Sequence, residues 1–174
     1  MRSLLDRLYQ AGGALAALFI TLICLLVAAQ VTLNLITRIF GTAYSYTIPS
    51  YADFAGFFLA AASFLALAYT LRRGGHIRVT LVLRALPPSL RLASEIFSLS
   101  VGATLAGTAT WFMARLNLES YSYGDLSFGI VAIPIWIPQL AVTGGLALLT
   151  VAFLDLLVGT LRNGAPLPDA DGKT

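Results

Sequence analysis

Apolar residues gather in four long runs, separated by short stretches where polar and aromatic residues concentrate. The runs are "GGALAALFITLICLLVAAQVTLNLI" (12–36), "ADFAGFFLAAASFLALAYTL" (52–71), "LASEIFSLSVGATLAGTATWFMA" (92–114) and "IVAIPIWIPQLAVTGGLALLTVAFLDLLVG" (130–159). A helix of about 20 apolar residues crosses the ~30 Å hydrocarbon core of a bilayer. The pattern therefore predicts an all-α integral membrane protein: one four-helix domain over residues 1–163 and a flexible tail over 164–174. Pro134 and Pro138 are expected in the first turns of the fourth span, where a missing N–H costs nothing. The first run is longer than the apolar core of a signal peptide, so it is read as a retained span.

The segment "RRGGHIRVTLVLRALPP" (72–88) breaks the pattern. Its glycine pair suits the end of the second span, and Pro87–Pro88 followed by Ser89 suits the start of the third. Between them Ile77, Val79, Leu81 and Leu83 alternate as in a strand, whereas His76, Thr80 and Arg84 stand four apart as on a helix. An isolated strand at a membrane leaves its edge hydrogen bonds unmet, which favours a short interfacial helix over 76–86.

Composition agrees with a lipid environment. Hydrophobic residues make up 58% of the chain and charged residues 11%, against about 25% charged in soluble domains. The net charge of +3 is topological rather than a sign of nucleic acid, because the basic residues flank the apolar runs. Arg2, Arg7, Arg72, Arg73, Arg78, Arg84, Arg91, Arg162 and Lys173 fall on one side of the four spans, and only Arg38 and Arg115 on the other. By the positive-inside rule the first side, with both termini, is cytoplasmic. Tyr44, Tyr46, Tyr51, Trp111, Tyr121, Tyr123 and Trp136 then mark the outer boundary, where amphipathic rings settle.

Little in the chain suggests chemistry. The single Cys24 excludes an internal disulfide, and the single His76 excludes bis-histidine haem. The acids of the spans lie at their edges. Asp53 and Ser50 form a capping-box pattern, repeated by Ser3 and Asp6, and Glu95 stands one turn from Arg91. Gln30 and Asn34, one turn apart, suggest an interhelical hydrogen bond. Ser98, Gly102, Ala106 and Thr110 give the third span a face of small side chains suited to close helix packing, within the chain or with a partner. No catalytic, cofactor-binding, metal or substrate site is expected, nor any cofactor.

"LRRGGHIRVTLVLRALP" (71–87), after a span opened by Asp53, and the "PIWIP" and glycine pair that begin the fourth run resemble the small membrane subunit of tripartite ATP-independent periplasmic (TRAP) transporters, the DctQ type. The chain departs from that pattern at Thr80, where the family usually carries an acid, and at Tyr51, where it carries tryptophan. The resemblance implies a bacterial inner-membrane scaffold subunit that works with a large multi-span permease subunit and a periplasmic substrate-binding protein. The imported substrate would be an organic acid, a C4-dicarboxylate or a sialic acid, and any sodium gradient would be used by the large subunit. Arg72, Arg73, His76, Arg78 and Arg84 are expected to form a cytoplasmic arm against lipid or partner. The other reading open from the residues is an autonomous four-helix transporter or channel.

Overall fold

In a computed structural model of the chain, which describes residues 2–41, 46–73 and 87–163, four α-helices account for nearly everything. They are α1 (Arg2–Phe40), α2 (Tyr51–Arg72), α3 (Pro88–Tyr123) and α4 (Trp136–Asn163). All four are long and apolar enough to cross a membrane. The expected interfacial segment 76–86 and the tail 164–174 lie outside the described residues.

The helices stop where backbone chemistry requires it. Gly41, at φ 90°, follows α1, and Gly124, at φ 68°, follows α3. Both conformations are disfavoured for residues with a Cβ. Pro87, extended at ψ 151°, precedes α3, and Pro88 takes its first position, so Ser89 lies inside the helix rather than capping it. The fourth span begins later than the hydropathy predicts. Residues 130–135 are not helical; an antiparallel bridge joins Leu126 to Pro134, and α4 starts at Trp136 with Pro138 in its first turn. The physical reason is that Ser127 N–H and Ile135 N–H are already bonded to Ile133 O and Asp125 O across a small hairpin.

Lengths are uneven. At 1.5 Å per residue, the 39 residues of α1 span about 58 Å and the 22 of α2 about 33 Å. Gln30 of α1 meets Ile48, just before α2, so the last ten residues of α1 run about 15 Å beyond the start of its neighbour. Helix α3 is the least apolar of the four. Its Ser94, Ser100, Thr104, Thr108 and Thr110 hydroxyls each donate to a carbonyl four residues back, which hides their polarity within the helix.

The helices pack as a row in the order α1, α2, α4, α3, rather than as a closed bundle. Helix α1 barely touches α4, and among the described residues α3 packs on α4. Small residues set the spacing. Ala16 of α1 meets Ala61, Ala62 and Leu65 of α2, with Phe19, Ala141 and Leu148 packed around them. A second cluster joins Tyr9, Ala68 and Ala152. The tightest approach is at Gly145 of α4, where an added Cβ would stand 2.6 Å from the carbonyl oxygen of Phe64 and 2.8 Å from the amide nitrogen of Leu65. Neither is a side chain that can swing away. At Gly144 an added Cβ meets nothing within 4 Å.

Gly145→Val should therefore lower stability by about 1–3 kcal/mol, as overpacking does. Gly144→Val should fall within about 0.5 kcal/mol of the parent. Thermal unfolding of both variants in detergent checks the difference; equal effects would show that the α2–α4 approach is looser than described.

Candidate functional site

Charge is confined to the helix ends, and two polar sites lie at opposite ends of the helices. The first lies where α1 begins and α2 and α4 end. Arg72, in the last turn of α2, points its guanidinium between two acids. Its Nη2 donates to Asp6 Oδ1 of α1 at 2.9 Å, and its Nη1 stands 3.1 Å from Asp155 Oδ2 of α4. The Asp155 contact is an ion contact without hydrogen-bond alignment. The guanidinium also lies 5.6 Å from the ring centre of the buried Tyr9. Three helices are thus joined through one side chain. The Arg72 and Asp155 side chains are 24% and 22% exposed and that of Asp6 is 49% exposed, so the Asp155 side of the latch is the part shielded from solvent screening. Arg73 is exposed, its guanidinium 5.1 Å from the Tyr69 ring centre. A cleft of about 270 Å³ opens beside them, lined by Asp6, Tyr9, Gln10, Tyr69 and both arginines.

The second site, a clasp at the other end, ties the two loops there to the helices. Gln30 is 4% exposed; its Oε1 accepts the Ile48 N–H at 2.9 Å, and its Nε2 donates to Asn34 Oδ1 at 3.0 Å. Ser50 accepts the Val131 N–H on its Oγ at 3.0 Å, joining the α1–α2 loop to the α3–α4 hairpin. Asn117 donates to the carbonyl of Trp136 at 2.9 Å, and the Tyr121 and Trp136 rings meet edge to face. Gly129 lies so close to Ser50 and Asp53 that a Cβ there would run into both side chains.

Several expectations change at this point. The Ser50–Asp53 capping box does not form. Ser50 sits in the left-handed region at φ 56°, makes no side-chain cap, and spends its hydroxyl on Val131. A capping residue needs an extended backbone to aim its oxygen at the helix amides, and Ser50 lacks it. Helix α1 already includes Ser3, and Asp6 turns to Arg72 rather than serving a capping box. Gln30 and Asn34 bond each other on one helix instead of bridging two.

The small-residue face packs on α4 within the chain. A Cβ on Gly102 would meet the Phe153 ring, Ala106 is buried, and Thr110 Oγ1 lies 3.0 Å from Thr150 Oγ1. Ser98 is exposed and falls outside the packed part. Of the expected arm, Arg72 turns inward to the latch and Arg73 stays exposed; His76, Arg78 and Arg84 lie outside the described residues. The latch is not legible along the sequence, where Asp6 falls in a capping-box pattern and Asp155 near the end of the fourth run, 149 residues away. Their signal was the placement of two acids and Arg72 at one end of the row.

Nothing in either site resembles catalytic machinery. Among the described residues, no group of three His, Cys, Asp or Glu side chains is placed to hold a metal. Residues 8–37, 54–71, 96–114 and 137–154 of the four helices contain no charged side chain. The family model for "Tripartite ATP-independent periplasmic transporters, DctQ component" matches residues 27–163. No curated protein and no solved structure matches the chain.

Removing the Arg72 guanidinium takes from Asp6 and Asp155 the cation they share. Arg72→Gln should destabilise the fold by about 1–3 kcal/mol, between the values for surface and buried pairs. Adding Asp155→Asn should cost less than the two single changes combined, by about 1 kcal/mol. A double-mutant cycle by denaturant unfolding in micelles measures this coupling; strict additivity would remove the latch from the account.

Proposed function

Because the chain belongs to the DctQ component family of TRAP transporters, and is therefore a small permease component, we propose that it acts as a fixed scaffold beside a large permease subunit that binds and moves the substrate. The observation that carries this reading is the uncharged middle of every helix. Ionisable groups within a bilayer are costly and mark ion or proton pathways where they occur. Here the charges stay at the ends and, at the latch, fasten helices together. A row of helices leaves broad apolar faces of α1 and α3 uncovered, and such faces suit lipid or a second membrane subunit.

The proposed setting is a bacterial inner membrane with both termini cytoplasmic. A periplasmic binding protein would deliver an organic acid to the assembled complex, and the large subunit would use the ion gradient. The orientation is supported by the distribution of arginine and lysine, nine against two. Alkaline phosphatase joined after Tyr123 should be active and joined after Arg73 silent; the opposite pattern would reverse the topology.

The chain alone in liposomes should take up no C4-dicarboxylate or sialic acid under a sodium or proton gradient. Uptake should require co-reconstitution with a large permease subunit and a binding protein. Gradient-driven uptake by the purified chain would instead support an autonomous transporter.

A further inference from the structure

The hairpin between α3 and α4 presents an apolar tip that the protein leaves uncovered. We infer that this tip, Phe128–Gly129–Ile130, inserts into the lipid interface at the clasp end and anchors the subunit there. Phe128 is 104% exposed and Ile130 87%.

The base of the hairpin is held by its own hydrogen bonds. Ser127 N–H bonds Ile133 O at 2.8 Å, Ser127 Oγ donates to Val131 O and accepts the Ile133 N–H, and Ile135 N–H bonds Asp125 O at 3.0 Å. Val131 N–H is taken by Ser50. The base of the hairpin is thus satisfied, while the backbone groups of residues 128–130 at the tip keep water and headgroups as partners, which the interfacial layer supplies and the hydrocarbon core does not.

Its height also fits. Gly129 lies against Ser50 and Asp53, and Phe57, one turn further along α2, lines the same cleft of about 490 Å³. The tip therefore stands beside the first turns of α2, level with the edge of the apolar span, and not beyond it. Tyr121 and Trp136 at the base of the hairpin have ring centres 5.5 Å apart, and Tyr123 is 81% exposed; such rings settle at this depth in a bilayer.

The chemistry favours lipid as the occupant. Residues 126–135 carry no charge, and the carboxylate that meets Gly129, that of Asp53, belongs to the first turn of α2, at the edge of the span where headgroups and water solvate it. Leu126, at the base of the hairpin, is exposed as well. The inference requires only that the helices span a membrane, and it is independent of orientation and of the partners proposed above.

The test uses the full chain in lipid nanodiscs, open to water on both faces. Phe128→Cys and Ile130→Cys, each with Cys24→Ala, carry a nitrobenzoxadiazole fluorophore. The same label on native Cys24, exposed on α1, gives the lipid reference. Both tip positions should be quenched strongly by phosphatidylcholine spin-labelled near the headgroup and weakly by iodide, with emission between that of the dye in water and that of the Cys24 label. Quenching mainly by iodide would overturn the inference and make the tip a water-facing contact for a soluble protein. Protection from both quenchers would also overturn it, by showing that a second copy of the chain covers the tip. A nitroxide at either position, read by collisions with oxygen or a nickel chelate, gives the same decision with a smaller probe.

Discussion

Helix α4 comes so near to α2 at Gly145 that the backbone of one lies against the backbone of the other. In lipid there is no gain from moving apolar side chains away from water, so helices associate through dispersion contacts and a few polar bonds. Both need short distances. The close approach at Gly145 supplies the distance on one side of α4, and Gly102 against Phe153 supplies it on the other. With α4 held between α2 and α3, and α1 seated on the alanines of α2, the row is determined. The latch depends on the same placement, since Asp155 reaches Arg72 only while α4 stays against α2.

The two ends of the row use different chemistry for related purposes. At the latch end, one guanidinium serves three helices, and partial burial keeps solvent from screening it. At the clasp end the connectors hold themselves through neutral hydrogen bonds to Gln30, Ser50, Asn117 and Ser127. Ser50 retains a left-handed backbone of a kind that costs roughly 1–2 kcal/mol in a residue with a Cβ. Its hydroxyl, bonded to the α3–α4 hairpin, helps to hold it there. Between these ends the helices carry no charge that a moving ion or anionic substrate would meet.

Hydropathy was enough to place four helices because the bilayer requirement is strong: a spanning segment must be both long and apolar. It failed at residues 130–135. Ile130, Val131, Ile133 and Ile135 are as apolar as any helical residue, but their neighbours' backbone groups are satisfied by a local hairpin, and composition does not report that. The Ser50–Asp53 pattern misled for a related reason. Residue types specify a capping box only when the backbone entering the helix is extended, and the loop sets that backbone. The small-residue face of α3 was legible as a packing surface, yet its partner was not, since spacing along one helix says nothing about which helix lies opposite. The latch needed the rotation of three helices about their axes, which is set by contacts such as Gly145 rather than by any local pattern.

The row has a further consequence for how the subunit is made. Chain order is α1, α2, α3, α4, but spatial order places the last helix between the second and the third. Helix α3 is therefore made before α4, the helix that it packs on in the finished protein. Until α4 arrives, Gly102, Ala106 and Thr110 face lipid or the insertion machinery. Arrival of α4 then completes two interfaces in one event, and the four helices become a unit only with α4 in place.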